Sequence, residues 1–194
     1  MSRIGTVTRQ TAETKVVLTL DLDGQGSCEI ATGVPFFDHM LEAIGRHGLM
    51  DLAVDAKGDL AVDAHHTVED VGICFGQALQ EALGDKRGIR RYGSVTVPMD
   101  EAAVDCALDI SGRPYLLYDV AVPIEIIGTF DTTLAEEFFR AVANNGALTL
   151  HLRSLSGGNA HHVIEAAAKA FAVALRDAVS VSERAGLPST KGSL

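Results

Sequence analysis

From Val68 onward the apolar residues Val68, Val71, Phe75, Leu79 and Ala82 recur at a three-and-four spacing, which predicts a helix with one buried face. The same spacing returns at Ile164, Ala167, Phe171, Leu175 and Ala178. Each run is preceded by a favoured N-cap residue, Asp63 in "DAHHTVEDVG" and Asn159 in "NAHHVIEAAA". The two stretches align without a gap, so that His65 and His66 fall on His161 and His162, Glu69 on Glu165, and Phe75 on Phe171. With two residues of slack the match continues upstream. "FFDHMLEAIGRHGLMDLAV" meets "LAEEFFRAVANNGALTLHL", placing His39 opposite Glu137 and Gly48 opposite Gly146, and "LDLDGQG" resembles "LDISGRP". The chain therefore reads as one α+β domain over 1–194 with an internal duplication, a unit of roughly 90 residues used twice. Each copy is predicted to hold strands, a helix, a strand or two, and a second helix, with the helices over one face of its sheet. The repeats span about 10–85 and 92–180, and 181–194 form a tail.

Composition narrows the function. Of the residues 47% are hydrophobic, ample for a packed core, and no apolar run approaches the roughly 20 residues needed to span a bilayer. A net charge of −10, with 5% aromatics and no Trp, argues against a nucleic-acid partner. The N-terminal stretch lacks the apolar segment of a signal peptide, which predicts a cytoplasmic protein. Cys28, Cys74 and Cys106 are odd in number, far apart and in apolar contexts, as buried thiols would be.

The duplicated histidines carry the candidate chemistry. On a helix Glu69 lies four residues beyond His65 and three beyond His66, so one face can present imidazole and carboxylate to the same ion, and Glu165 repeats this with His161 and His162. The positive end of each helix is expected to hold these rings neutral, the form that ligates metal. Plain helix capping explains one copy but not the duplicate, since Asp63 and Asn159 suffice as caps. His39 and Glu137 are then the natural additional ligands from the preceding helix of each half. Nitrogen and oxygen ligands without thiolate suit manganese, iron or zinc, and six-coordination with open positions favours manganese. Gly72 and Gly76, matched by Ala168 and Ala172, leave room on the same helix faces for close approach. His151 has no partner in the repeat and is assigned a structural or supporting part; His47, before Gly48, suits a helix C-terminus.

At these residues the chain resembles the imidazoleglycerol-phosphate dehydratases of histidine biosynthesis. "FFDHML", "DAHHTVEDVG", "SGRPYL", "LHLRSLSGGNAHHVIEAAAKAFAVALRDA" and "PSTKGSL" carry the resemblance, which runs from about Arg9 to the C-terminus. It implies a fold like ribosomal protein S5 domain 2 and the dehydration of D-erythro-imidazole-glycerol phosphate to imidazole-acetol phosphate. It also implies two manganese ions per subunit and a homo-oligomeric shell of 24 subunits with active sites between them. The metal set would be His39, His65, His66, Glu69, Glu137, His161, His162 and Glu165, although some members carry histidine where this chain has Glu137. The metals would act as electron sink for the imidazole ring. Glu13 matches the family's acid–base glutamate, with His39, His66 and Glu69 as its companions in catalysis. Arg91, Arg113, Ser189 and Lys191 match the grip on the substrate phosphate, which gives the tail its task; Arg90 is the rival of Arg91. From the residues alone, a dinuclear metallohydrolase acting on a small phosphorylated substrate and a non-catalytic metal-storage shell are the competing readings.

Overall fold

Period-two alternation builds the sheets. The computed structural model describes residues 3–181, 186 and 188–190. β1 (Ile4–Gln10) and β2 (Thr14–Asp21) form an antiparallel hairpin, and β2 turns Thr14, Val16, Leu18 and Leu20 inward. β3 (Cys28–Ala31) runs into α1 (Pro35–Gly48), which returns the chain as β4 (Asp51–Gly58), parallel to β3 and antiparallel to β2. α2 (His65–Leu83) closes the half, whose sheet has the order β1-β2-β4-β3.

The second half repeats this order. β5 (Tyr92–Met99), β6 (Ala102–Asp109) and β7 (Tyr115–Asp119) are followed by a short ladder, β8 (Ile126–Ile127) with β9 (Phe130–Asp131). Then come α3 (Leu134–Asn145), β10 (Thr149–Ser156) and α4 (Ala160–Val179), and the sheet order is β5-β6-β10-β7. Register repeats too: Leu20 faces Leu52 as Leu108 faces Leu150, and Leu18 faces Val54 as Cys106 faces Leu152. The β8–β9 ladder has no counterpart in the first half.

Backbone contact seats each long helix on its sheet. A Cβ on Gly5 would lie 2.0 Å from the carbonyl oxygen of Ala78, and one on Gly93 would lie 1.9 Å from that of Ala174, so only glycine allows β1 to touch α2 and β5 to touch α4. Across the halves, α2 packs on α3 and α1 on α4. Phe75 and Phe171, matched residues of the repeat, meet at the centre with ring centroids 6.1 Å apart. This packing reassigns the small residues of α2. A Cβ on Gly72 would come 2.8 Å from Ala141 Cβ, and one on Gly76 would come 2.6 Å from the Gly146 nitrogen. Their smoothness admits α3 of the same chain.

Some local expectations shift. Asn159 caps α4, accepting from the amides of His161 and His162, whereas Ala64 occupies the N-cap position of α2 and Asp63 acts from one residue upstream, accepting from the His65 amide at 2.8 Å. Cys74 and Cys106 are buried and Cys28 half-buried, all three as free thiols. His151 points from the uncovered face of its sheet, its ring 5.7 Å from that of Tyr115. Among the described residues no helix is long and apolar enough to cross a membrane.

Candidate metal centre

α1 and α4, one from each half, bring three predicted ligands together. His39 projects from α1; His161 and Glu165 stand one turn apart at the start of α4. His161 Nε2 lies 3.1 Å and His39 Nε2 3.4 Å from Glu165 Oε2, and one ligand atom from each residue falls within 4.8 Å of the others. Glu165 is buried, and its other oxygen is held by Lys169 Nζ at 2.7 Å. Burial pushes this carboxyl up, but the hydrogen bond and charge of Lys169, followed by His39, outweigh it and hold the group below the ordinary carboxylate range. Two imidazole nitrogens and an ionised oxygen converging without an intervening cation suit a divalent ion.

The corresponding residues of the other helix pair are arranged less tightly. α3 packs on α2 as α1 packs on α4, so Glu137 stands on the helix that faces His65 and Glu69. Among the described residues these three do not close into a cluster like the first. Glu137 is half-buried with Arg140 at 4.0 Å, and His65 lines a cleft with Asp63, Asp131, Leu60 and Ile126.

The second histidine of each pair turns elsewhere. The rings of His65 and His66 stand at 83° to each other, and those of His161 and His162 at 80°. His66 Nδ1 meets Asp59 at 3.1 Å, and its Nε2 lies 3.7 Å from Glu13 Oε2. His162 Nδ1 meets Glu101 Oε2 at 2.8 Å, with Asp100 3.8 Å from its Nε2. These carboxylates reverse the expected effect of the helix ends. The hydrogen bond to Asp59 raises the His66 pKa above its ordinary value, and the bond to Glu101 does the same for His162. Glu101 in turn is drawn down to about 2, first by His162 and then by the Asn159 amide. A full carboxylate in hydrogen-bond contact outweighs the partial charge of a helix terminus.

Glu13, Asp59 and His66 thus form a second group with ligand-type atoms within 4.8 Å. Glu13 is exposed on the turn between β1 and β2. The residues that sequence reading passed over are Asp59, Glu101 and Lys169. Glu101 had a signal: the correspondence that sets Leu20 on Leu108 also sets Glu13 on Glu101. Asp59 had none, since it belongs to a β4–α2 loop longer than its counterpart.

Candidate phosphate ligands gather at the far end of α4. Arg91, with φ +74°, gives Nε and Nη2 to Asp109 at 2.6 and 3.0 Å, gives Nη1 to the Pro188 carbonyl at 2.8 Å, and lies 4.7 Å over the Tyr92 ring. Arg113 is exposed, with Nη2 4.0 Å from Asp109. Ser189 follows Pro188 directly, so the tail reaches Arg91; Lys191 lies outside the described residues. Arg90 turns instead toward Asp177 at 3.9 Å.

Comparison with known proteins matches residues 32–175 to the family of imidazoleglycerol-phosphate dehydratases. The imidazoleglycerol-phosphate dehydratase of Jannaschia sp. is 57% identical over 194 residues, covering 99% of this chain and all of the relative. The crystal structure of the dehydratase from Staphylococcus aureus superposes with a TM-score of 0.84 at 42% identity, covering 92% of this chain and 99% of that one. The Pyrococcus furiosus structure gives 0.84 at 39%, covering 97% and 100%. A full-length match in sequence, joined to the same two-sheet fold, places this chain in the imidazoleglycerol-phosphate dehydratase family.

Proposed function

We propose that this hydro-lyase eliminates water from D-erythro-imidazole-glycerol phosphate to give imidazole-acetol phosphate in histidine biosynthesis, and that it does so with two divalent ions, manganese by preference. Family membership supports the reaction. The observation that carries the metal reading is the convergence of His39, His161 and buried Glu165 from opposite halves of the chain. When bound, the ions supply the electron sink that a substrate with an imidazole, and no carbonyl, beside the departing hydroxyl otherwise lacks. His65, Glu69 and Glu137 are the ligands we assign to the other helix pair, with His66 and His162 completing the sets.

The chain's own groups divide the remaining work. Glu13, exposed and 3.7 Å from His66, is placed to move a proton at the glycerol side chain. Arg91 and Arg113, both turned toward Asp109, with Ser189 and Lys191 of the tail, hold the phosphate.

The same geometry supports an active site shared between copies in a cytoplasmic homo-oligomer, for which we adopt the 24-subunit shell. His162 stands at the first turn of α4, while the Arg91 amide donates to Ala178 at its last turn. At a rise of 1.5 Å per residue those points lie about 24 Å apart, farther than a glycerol phosphate bearing one imidazole ring can bridge. That separation favours histidines and phosphate grip drawn from different subunits for one substrate.

The test is to incubate the manganese-loaded protein with imidazole-glycerol phosphate and follow products. Enolisable ketone without release of inorganic phosphate is the expected result. Free phosphate would instead support a dinuclear metallohydrolase, and no turnover with metals bound would support a storage shell.

A further inference from the structure

We infer that Asp70, acting with Thr14 and Arg9, is a positioning residue for Glu13, and that this clamp is what separates the two duplicated hairpins in function. Asp70 is buried on α2, and its carboxylate takes hold of both strands of the hairpin that carries Glu13. Oδ1 accepts from Arg9 Nε on β1 at 2.7 Å, and Oδ2 accepts from the hydroxyl of buried Thr14 at the start of β2. From Thr14 the network continues to the turn: its hydroxyl lies 3.1 Å from that of Thr11, which accepts from the amides of Thr14 at 2.9 Å and Glu13 at 3.1 Å. The backbone of Glu13 is therefore tied through two hydroxyls to a carboxylate on the helix that bears His65, His66 and Glu69. Its own carboxylate makes no hydrogen bond among the described residues, the approach of His66 at 3.7 Å aside.

The second half shows the alternative. By the correspondence of the repeat, Asp70, Thr14 and Arg9 become Ala166, Ala102 and Val97. Ala166 and Ala102 are buried, and the fold forms with nothing polar there. In this half the hairpin glutamate itself does the holding. Glu101 accepts from the amides of Asn159 at 3.0 Å and Gly158 at 3.3 Å through one oxygen, and from His162 through the other. Three of its roughly four acceptor positions are thereby spent on holding the loop and His162. A buried carboxylate is costly unless fully paired, and the alanine version shows that the architecture does not require one. Its place in the first half is explained by the freedom it gives Glu13: the turn is fixed from beneath, so the reacting carboxylate has no structural duty.

This inference rests on the acid–base role proposed for Glu13, so the experiment measures both. Glu13→Gln, Thr14→Val, Asp70→Asn and the double variant Glu13→Gln/Thr14→Val are prepared as the assembled manganese protein, with metal content, kcat and KM determined on each preparation. Thr14→Val is close to isosteric and guards against a folding failure of Asp70→Asn. The expected result is a fall in kcat of roughly 10- to 100-fold for Thr14→Val and Asp70→Asn, the scale of losing near-attack geometry, with KM and metal content kept. Thr14→Ser, which restores the hydroxyl, should recover kcat. In the Glu13→Gln background Thr14→Val should change the residual rate no further, because an effect exerted through Glu13 disappears with it. The inference is overturned if Thr14→Val keeps its kcat while Glu13→Gln loses it, or if Thr14→Val slows the Glu13→Gln protein by its full factor. Full turnover by Glu13→Gln would instead remove the acid–base reading beneath it.

Discussion

Glu165 is almost fully buried, yet both its oxygens are engaged, one by Lys169 and the other by His161 and His39. Such a site is built to keep a carboxylate charged, so Glu165→Gln should lower metal content and turnover together, as should His66→Ala; metal analysis beside steady-state kinetics checks this. Either variant retaining two ions and full kcat would refute the ligand assignment. Arg113 belongs to another class. It is exposed and only loosely paired, free to meet a phosphate, and Arg113→Ala should keep both metals while raising KM about 10- to 1,000-fold, the loss of a charge-assisted contact of roughly 1.5–4 kcal/mol. A separate pH effect sits at Asp51, whose carboxylate accepts from the Ser27 and Gln25 amides, each at 2.8 Å, and is held below its ordinary 3.8. A depressed folded pKa contributes stability above the unfolded value that is lost as pH falls through the folded one. Asp51→Asn should therefore unfold at lower temperature than the parent near neutrality, with the difference closing below about pH 4; a gap of the same size at pH 2 would exclude this linkage.

At the scale of elements, the duplication was legible because period and spacing survive divergence. Five apolar positions in α2 and five in α4, each run behind an HH pair, announce the same helix twice, and both α+β halves followed from that. What lay beyond the sequence depends on which elements meet. Gly72 and Gly76 read as room for a neighbour, but that the neighbour is α3 of the same chain is fixed by the interleaving of the halves. The β8–β9 ladder is too short to show a period, and Asp59 acts from a loop that is longer than its counterpart in the second half. The paired glycines beneath α2 and α4 give an element-scale prediction. Gly5→Ala and Gly93→Ala each push a Cβ into a helix carbonyl, with no side chain able to yield, so each should destabilise by about 1–3 kcal/mol or more in urea unfolding. If both are neutral, the helices are not seated on these strands by backbone contact.

For the whole molecule, the divergence of the HH pairs matters more than the number of ligands. His161 turns toward α1 of its own chain, while His66 and His162 turn toward the hairpin glutamates Glu13 and Glu101, and Arg91, the proposed phosphate ligand, sits at the opposite end of α4. Under the proposed function, a subunit so arranged would present part of a centre at one place and part at another, and copies would have to meet to join them. Metal bound in the shared site we propose would contribute its binding free energy to association, because separated subunits would not offer the full ligand set. Removal of the ions by a chelator should accordingly shrink the particle, and readdition of manganese should restore its mass. Light scattering on the same sample before, during and after chelation measures this. The His162→Ala protein should form the small species even with manganese present, since it lacks a ligand we assign to the shared centre. An unchanged mass after complete metal removal would show that contacts between protein surfaces alone hold the assembly, and the role of the ions would then be confined to chemistry.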